Sequence, residues 1–155
     1  MSTKQRVAAR FSGLAAALWW GSLTTIGFLV VPLLFKHLPT PALAGGMAAQ
    51  LFSAQAWVSI GCAMLLLMFS RPDADLDGTA ANAAIARRSQ TLVMFVALGL
   101  LMALLAEFAV SPRIVARDNL KLWHAVGSGM YLVQWLCAAV VLWRLGTLRS
   151  NTGSN

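Results

Sequence analysis

Charge is scarce in this sequence. Only 11% of the 155 residues are charged, against roughly a quarter in soluble domains. Acids are the scarcer sign, five against twelve Lys and Arg. Four of the five, Asp73, Asp75, Asp77 and Asp118, fall in polar stretches, which leaves Glu107 alone inside an apolar run. Cysteine is equally sparse: Cys62 and Cys137 lie in apolar segments with no CxxC or Cys/His spacing, which argues against a disulfide framework or a zinc motif and reads as two small buried hydrophobes. There is no nucleophile with a neighbouring base, no phosphate-binding loop and no close pair of carboxylates. Hydrolytic and group-transfer chemistry therefore have little support.

What the chain has instead is length of apolar run. Hydrophobic residues make up 59% of it, with a mean hydropathy of +0.71. The runs are continuous rather than alternating, and in hydrocarbon a backbone must satisfy its own amides, so they are expected to be transmembrane helices. Four are legible, at about residues 14–35, 42–69, 91–110 and 122–145, each long enough for roughly 30 Å of hydrocarbon. Arg71 and Pro72 mark the end of the second, and Ser111-Pro112 the end of the third. The first run is too long for a signal-peptide core. The expected fold is all-α: an integral-membrane four-helix bundle of residues 14–145, with a basic N-terminal segment 1–13, a polar loop 71–90 and a disordered polar tail 146–155.

The net charge of +7 does not imply nucleic acid, because the basic residues sit in short groups that flank apolar runs, as membrane-anchoring charge does. Eight of them fall on the side of the termini (Lys4, Arg6, Arg10, Arg71, Arg87, Arg88, Arg144, Arg149) and four on the other (Lys36, Arg113, Arg117, Lys121). The positive-inside bias predicts that both termini are cytoplasmic. In the polar loop, Asp73, Asp75, Asp77 and Gly78 imitate the start of a calcium loop, but Ala84 stands where its twelfth ligand should be. The segment is expected to be a solvated acidic turn. No 20-to-50-residue repeat is evident.

Helices in lipid associate through small residues and buried polar contacts. Gly99 and Ala103 recur at a four-residue step that next reaches Glu107, so the acid should point into the bundle. On span four, His124, Ser128, Tyr131 and Gln134 or Trp135 recur at helical spacing. An intramembrane carboxylate costs about 2.5 to 3.5 kcal/mol on permissive scales, so it finds a partner or takes up a proton. His124, at a similar expected depth, is the first candidate partner, with Tyr131, Arg113, Thr24 and Thr25 behind it. The expected ligand-binding set is Glu107, His124, Tyr131, Gln134 and Thr24, forming a polar pocket near the outer face for a small ligand, ion or proton. His37 with His124 and Glu107 would suit a transition metal, Met64 and Met68 offer soft sulfur, and His124 is the inward-facing axial choice for a haem. The alternative is that the same polar groups only fix helix packing, in a structural or assembly protein. The small-residue faces would serve a homo-oligomer or another membrane protein as readily as internal packing. Trp19, Trp20, Trp123 and Trp143 are expected at the membrane edges, with Trp57 and Trp135 in the core. Pro32 is expected to kink span one and splay its outer end.

The stretch LWWGSLTTIGFLVVPLLFKHLPTPALAGGMAAQLF, with Trp20, Gly21, Phe28, Pro32, Phe35, Ala44, Gly45 and Phe52, resembles the start of the bacterial integral-membrane family named domain of unknown function 4149, related to transmembrane protein 205. Pro112 and His124 resemble that family's third-span end and fourth-span start. The resemblance implies a four-span bundle in a bacterial inner membrane, and no settled activity.

Overall fold

The structure, a computed structural model, describes residues 3–70, 80–116 and 119–151. Helix α1 (Thr3–Thr25) runs through a π-helical turn, Ile26–Val30, into α2 (Val31–His37). After a short link comes α3 (Pro41–Phe69), then α4 (Ala80–Leu105), a second π-helical turn Ala106–Val110, α5 (Ser111–Val115) and α6 (Leu120–Asn151). Four stretches are long and apolar enough to cross a membrane: Val7–His37, Pro41–Phe69, Ser89–Val115 and Leu120–Thr147, here called spans one to four. There is no strand among the described residues.

The ends follow local chemistry. Pro41 opens α3 and the Thr40 side chain accepts a hydrogen bond from the Leu43 amide at 3.3 Å, so one of the orphan donors of the first turn is capped. Before α6 the backbone turns at Asn119, whose φ of 37° is left-handed, a conformation that Asn tolerates better than most side chains. Its carbonyl accepts from the Leu122 and Trp123 amides. The acidic stretch Asp73, Asp75, Asp77 and Gly78 lies outside the described residues. So do residues 152–155, but α6 continues past Leu145 to Asn151, so the expected disordered tail is helical over its first part.

The two prolines do not stop their helices. Pro32 and Pro112 each stand two residues after a π-helical turn, in which the amides of Val31 and Ser111 reach back five residues to the carbonyls of Ile26 and Ala106. A proline ring collides with the carbonyl four residues before it and donates no hydrogen bond. Widening the preceding turn accommodates both faults and lets the helix carry on. The sequence around the two turns repeats: Phe28-Leu29-Val30-Val31-Pro32 and Phe108-Ala109-Val110-Ser111-Pro112 share Phe, Val and Pro in register.

The spans alternate in direction. Phe11 at the start of span one stacks on Phe69 at the end of span two, 6.4 Å between ring centroids. Arg144 near the end of span four lies over Phe95 near the start of span three, and at the other end Arg113 of span three covers the Trp123 ring of span four at 4.3 Å. The end holding Phe11 and Arg144 is called the terminal end below, and the other the far end. Spans one, two, three and four form a ring in which each touches its sequence neighbours and one touches four.

The centre is filled by Trp19, which is wholly buried, with Leu23, Ala63, Leu66, Val96, Ala138 and Val141. This corrects the expected edge position of Trp19. Span one begins at Val7 rather than at residue 14, so the ring sits at mid-depth. Trp57, expected in the core, is instead 58% exposed and meets the Phe108 ring edge-on.

Candidate functional site

The polar side chains of the spans are distributed over the seams between helices. On the seam of spans two and three, the Ser53 hydroxyl donates to Glu107 Oε1 at 2.6 Å. On the seam of spans four and one, the Tyr131 hydroxyl donates to the Leu23 carbonyl at 2.7 Å, and the Gly27 amide faces the same phenolic oxygen. Leu23 O and Gly27 N–H are spaced as the two halves of one ordinary helical hydrogen bond, so Tyr131 enters the ladder of span one where its π turn, Ile26–Val30, begins. Gly27 is what permits this, since a Cβ there would lie 2.6 Å from Tyr131 Cε1. One turn further along span four, Trp135 Nε1 donates to Thr24 Oγ1 at 2.9 Å, and that hydroxyl donates to the Trp20 carbonyl.

Below these, a smaller network joins spans one and two. Gln55 Nε2 donates to Ser22 Oγ at 2.9 Å and to Ser59 Oγ at 3.2 Å, and Gln55 is 2% exposed. Among the described residues, its Oε1 has no hydrogen-bond partner, and neither has Nε2 of Gln134, which is 4% exposed, nor the indole N–H of Trp19 or Trp20.

Glu107 and His124 do not meet: no hydrogen bond or ion pair joins them among the described residues, and the His124 side chain is exposed. The reason is depth. Because the π turn carries span three on to Val115, Glu107 lies eight residues inside the far end and His124 four residues inside the start of α6, or about 12 Å against about 6 Å at 1.5 Å per residue. Facing changes too. Each four-residue step turns a helix by about 40°, which carries the Gly99, Ala103, Glu107 series from the bundle centre to the seam with span two.

His37 is exposed as well, and no group of three His, Cys, Asp or Glu side chains that could hold a metal ion occurs among the described residues. The expected trio of His37, His124 and Glu107 is therefore not assembled. Met64 and Met68 are exposed along an apolar recess with Leu65 and Leu67.

A family model for a domain of unknown function, DUF4149, matches residues 14–122. The chain belongs to that family. No curated protein and no solved structure matches it. The DUF4149 match takes in span one from Leu14 and all of spans two and three, with both π turns, and so includes Ser53, Glu107, Thr24 and Gln55; it stops before His124, Tyr131, Gln134 and Trp135.

Of the five residues expected to form one site, the structure brings only Thr24 and Tyr131 onto a common seam. Glu107 is on another seam, Gln134 is buried, and His124 is outside. Gly45, Ala49 and Ser53 recur at four-residue steps in span two, a small-residue spacing that is the sequence signal for Ser53. Gln55 was missed altogether, although a Gln in an apolar span signals a need for interhelical partners.

Proposed function

We propose that this DUF4149 chain is a non-enzymatic multi-pass membrane protein with a structural or assembly role, in which the buried polar groups hold four helices in fixed register and the working surface faces the lipid. The observation that supports this reading is the Ser53–Glu107 hydrogen bond of 2.6 Å, which ties the one intramembrane acid to a neighbouring helix. Tyr131, Trp135 and Gln55 also each donate a hydrogen bond to a neighbouring helix. Interhelical hydrogen bonds of this kind average about 0.6 kcal/mol and reach about 1.7. Their number, and not the strength of any one, sets the register.

Thermal unfolding in detergent or nanodiscs tests it. Ser53→Ala and Glu107→Ala should each lower Tm and should be non-additive together, because either removes the same bond. Glu107→Gln should keep Tm close to wild type, since the amide oxygen still accepts from Ser53.

One observation favours a second reading. Glu107 occupies a π-helical turn, a feature frequent at functional sites, and no Lys, Arg or His forms an ion pair with it among the described residues. On that reading Ser53 and Glu107 bind a cation or a proton. Glu107→Gln would then abolish sodium, potassium or proton uptake while Tm stayed unchanged, an outcome that would displace the structural role.

A further inference from the structure

At the terminal end, spans one and two leave a lateral groove with a cavity volume of about 410 Å³, lined by Phe11, Leu14, Leu18, Leu65 and Phe69 over a floor of Ala15 and Cys62. The groove exists because the floor residues are small and buried while the wall residues are large and exposed. The stacked Phe11 and Phe69 rings flank it toward the helix ends. We propose that it holds one acyl chain of a phospholipid with an anionic headgroup.

The lining runs from Phe11 to Leu18, about 10 Å at 1.5 Å per residue, and every lining side chain is apolar, so the groove suits a hydrocarbon chain. The headgroup follows from charge. Arg10 is exposed and stands four residues before Leu14 on α1, hence one turn nearer the helix end on the same face. A guanidinium there meets a phosphate at the level where the acyl chain ends. No carboxylate occurs in the described part of α1 or in α3 to oppose it.

The groove lies at the opposite end of the bundle from Glu107, and its occupancy is read by bound lipid rather than by unfolding, so this proposal and the structural role of Glu107 fail separately. The test is native mass spectrometry of the full chain released from nanodiscs of equimolar phosphatidylglycerol and phosphatidylcholine. The wild type should retain phosphatidylglycerol over phosphatidylcholine by roughly fivefold, the effect of one basic residue at an anionic surface, and Arg10→Gln should bring the two lipids level. Ala15→Phe fills the floor and should remove both. Since that position is buried, Leu65→Phe on the exposed wall provides a second obstruction that leaves the core intact, and it should lower retention of both lipids with Tm unchanged. Equal retention of the two lipids by the wild type, retention unaffected by Leu65→Phe, or a second copy of the chain carried in place of lipid would each overturn the proposal.

Discussion

Trp19 of span one reaches across the bundle to Gly99 of span three: a Cβ built on Gly99 would lie 2.5 Å from Trp19 Cη2 and 2.7 Å from Cζ2. Spans one and three are diagonal in the ring, so this single indole bridges the middle of the bundle and sets how closely its opposite corners approach. The contact also explains why Gly99 is glycine, since nothing in its helical backbone requires one.

Gly99→Ala should therefore destabilise the bundle by roughly 1–3 kcal/mol, the usual range for overpacking a core. A fully buried Trp19 with neighbours on every side has no cheap route of retreat. Trp19→Phe shortens the side chain. In a Gly99→Ala background it should restore part of the lost Tm, although alone it costs stability through the cavity that it leaves. Additive losses in the double variant would show that the two side chains do not meet.

Gly27 and Tyr131 give a sharper version of the same test. Tyr131→Phe removes the hydrogen bond to Leu23 and should cost about 0.6–1.7 kcal/mol. Gly27→Ala should cost more, because the new methyl group meets Cε1 of the ring at 2.6 Å. Phenylalanine keeps that carbon, so Tyr131→Phe should not rescue Gly27→Ala, whereas Tyr131→Leu should rescue it in part. Rescue by both replacements would place the conflict at the hydroxyl instead of the ring. Measured Tm values for the five variants decide between these outcomes.

The exposed histidines should be dispensable for the fold. His37→Ala and His124→Ala each touch no hydrogen bond among the described residues, so unfolding free energies should stay within about 0.5 kcal/mol of wild type. A larger loss for His124→Ala, accompanied by an equal loss for Glu107→Ala and non-additivity between them, would restore the pairing expected from the sequence.

The four crossings were legible because continuous apolar runs leave a membrane chain few alternatives to helix. Their ends were less so. Reading Ser111-Pro112 as a stop placed Glu107 one turn from the membrane face, level with His124. The helix instead widens by a π turn and continues to Val115, and the acid drops to a depth where Ser53 is its neighbour. The clue was present as the shared Phe, Val and Pro spacing before Pro32 and Pro112, which is too short to register as a repeat of 20 residues or more. Tyr131 was singled out from its helical spacing, but its acceptor is a backbone carbonyl, and no side-chain pattern announces one.

Tryptophan quenching provides a test of depth and facing on spans one, two and four. Trp143 is 76% exposed and Trp57 58%, whereas Trp19 is wholly enclosed. Single-tryptophan variants retaining one of these rings, reconstituted with lipids brominated along the acyl chain, should show strong quenching for Trp57 and Trp143. Trp19 should be spared despite its mid-span position, because bromine quenches on contact and helices on every side exclude acyl chains from the centre. If Trp19 were quenched as strongly as Trp57, lipid would have to enter between spans one and three, and the close approach of Trp19 to Gly99 could not hold.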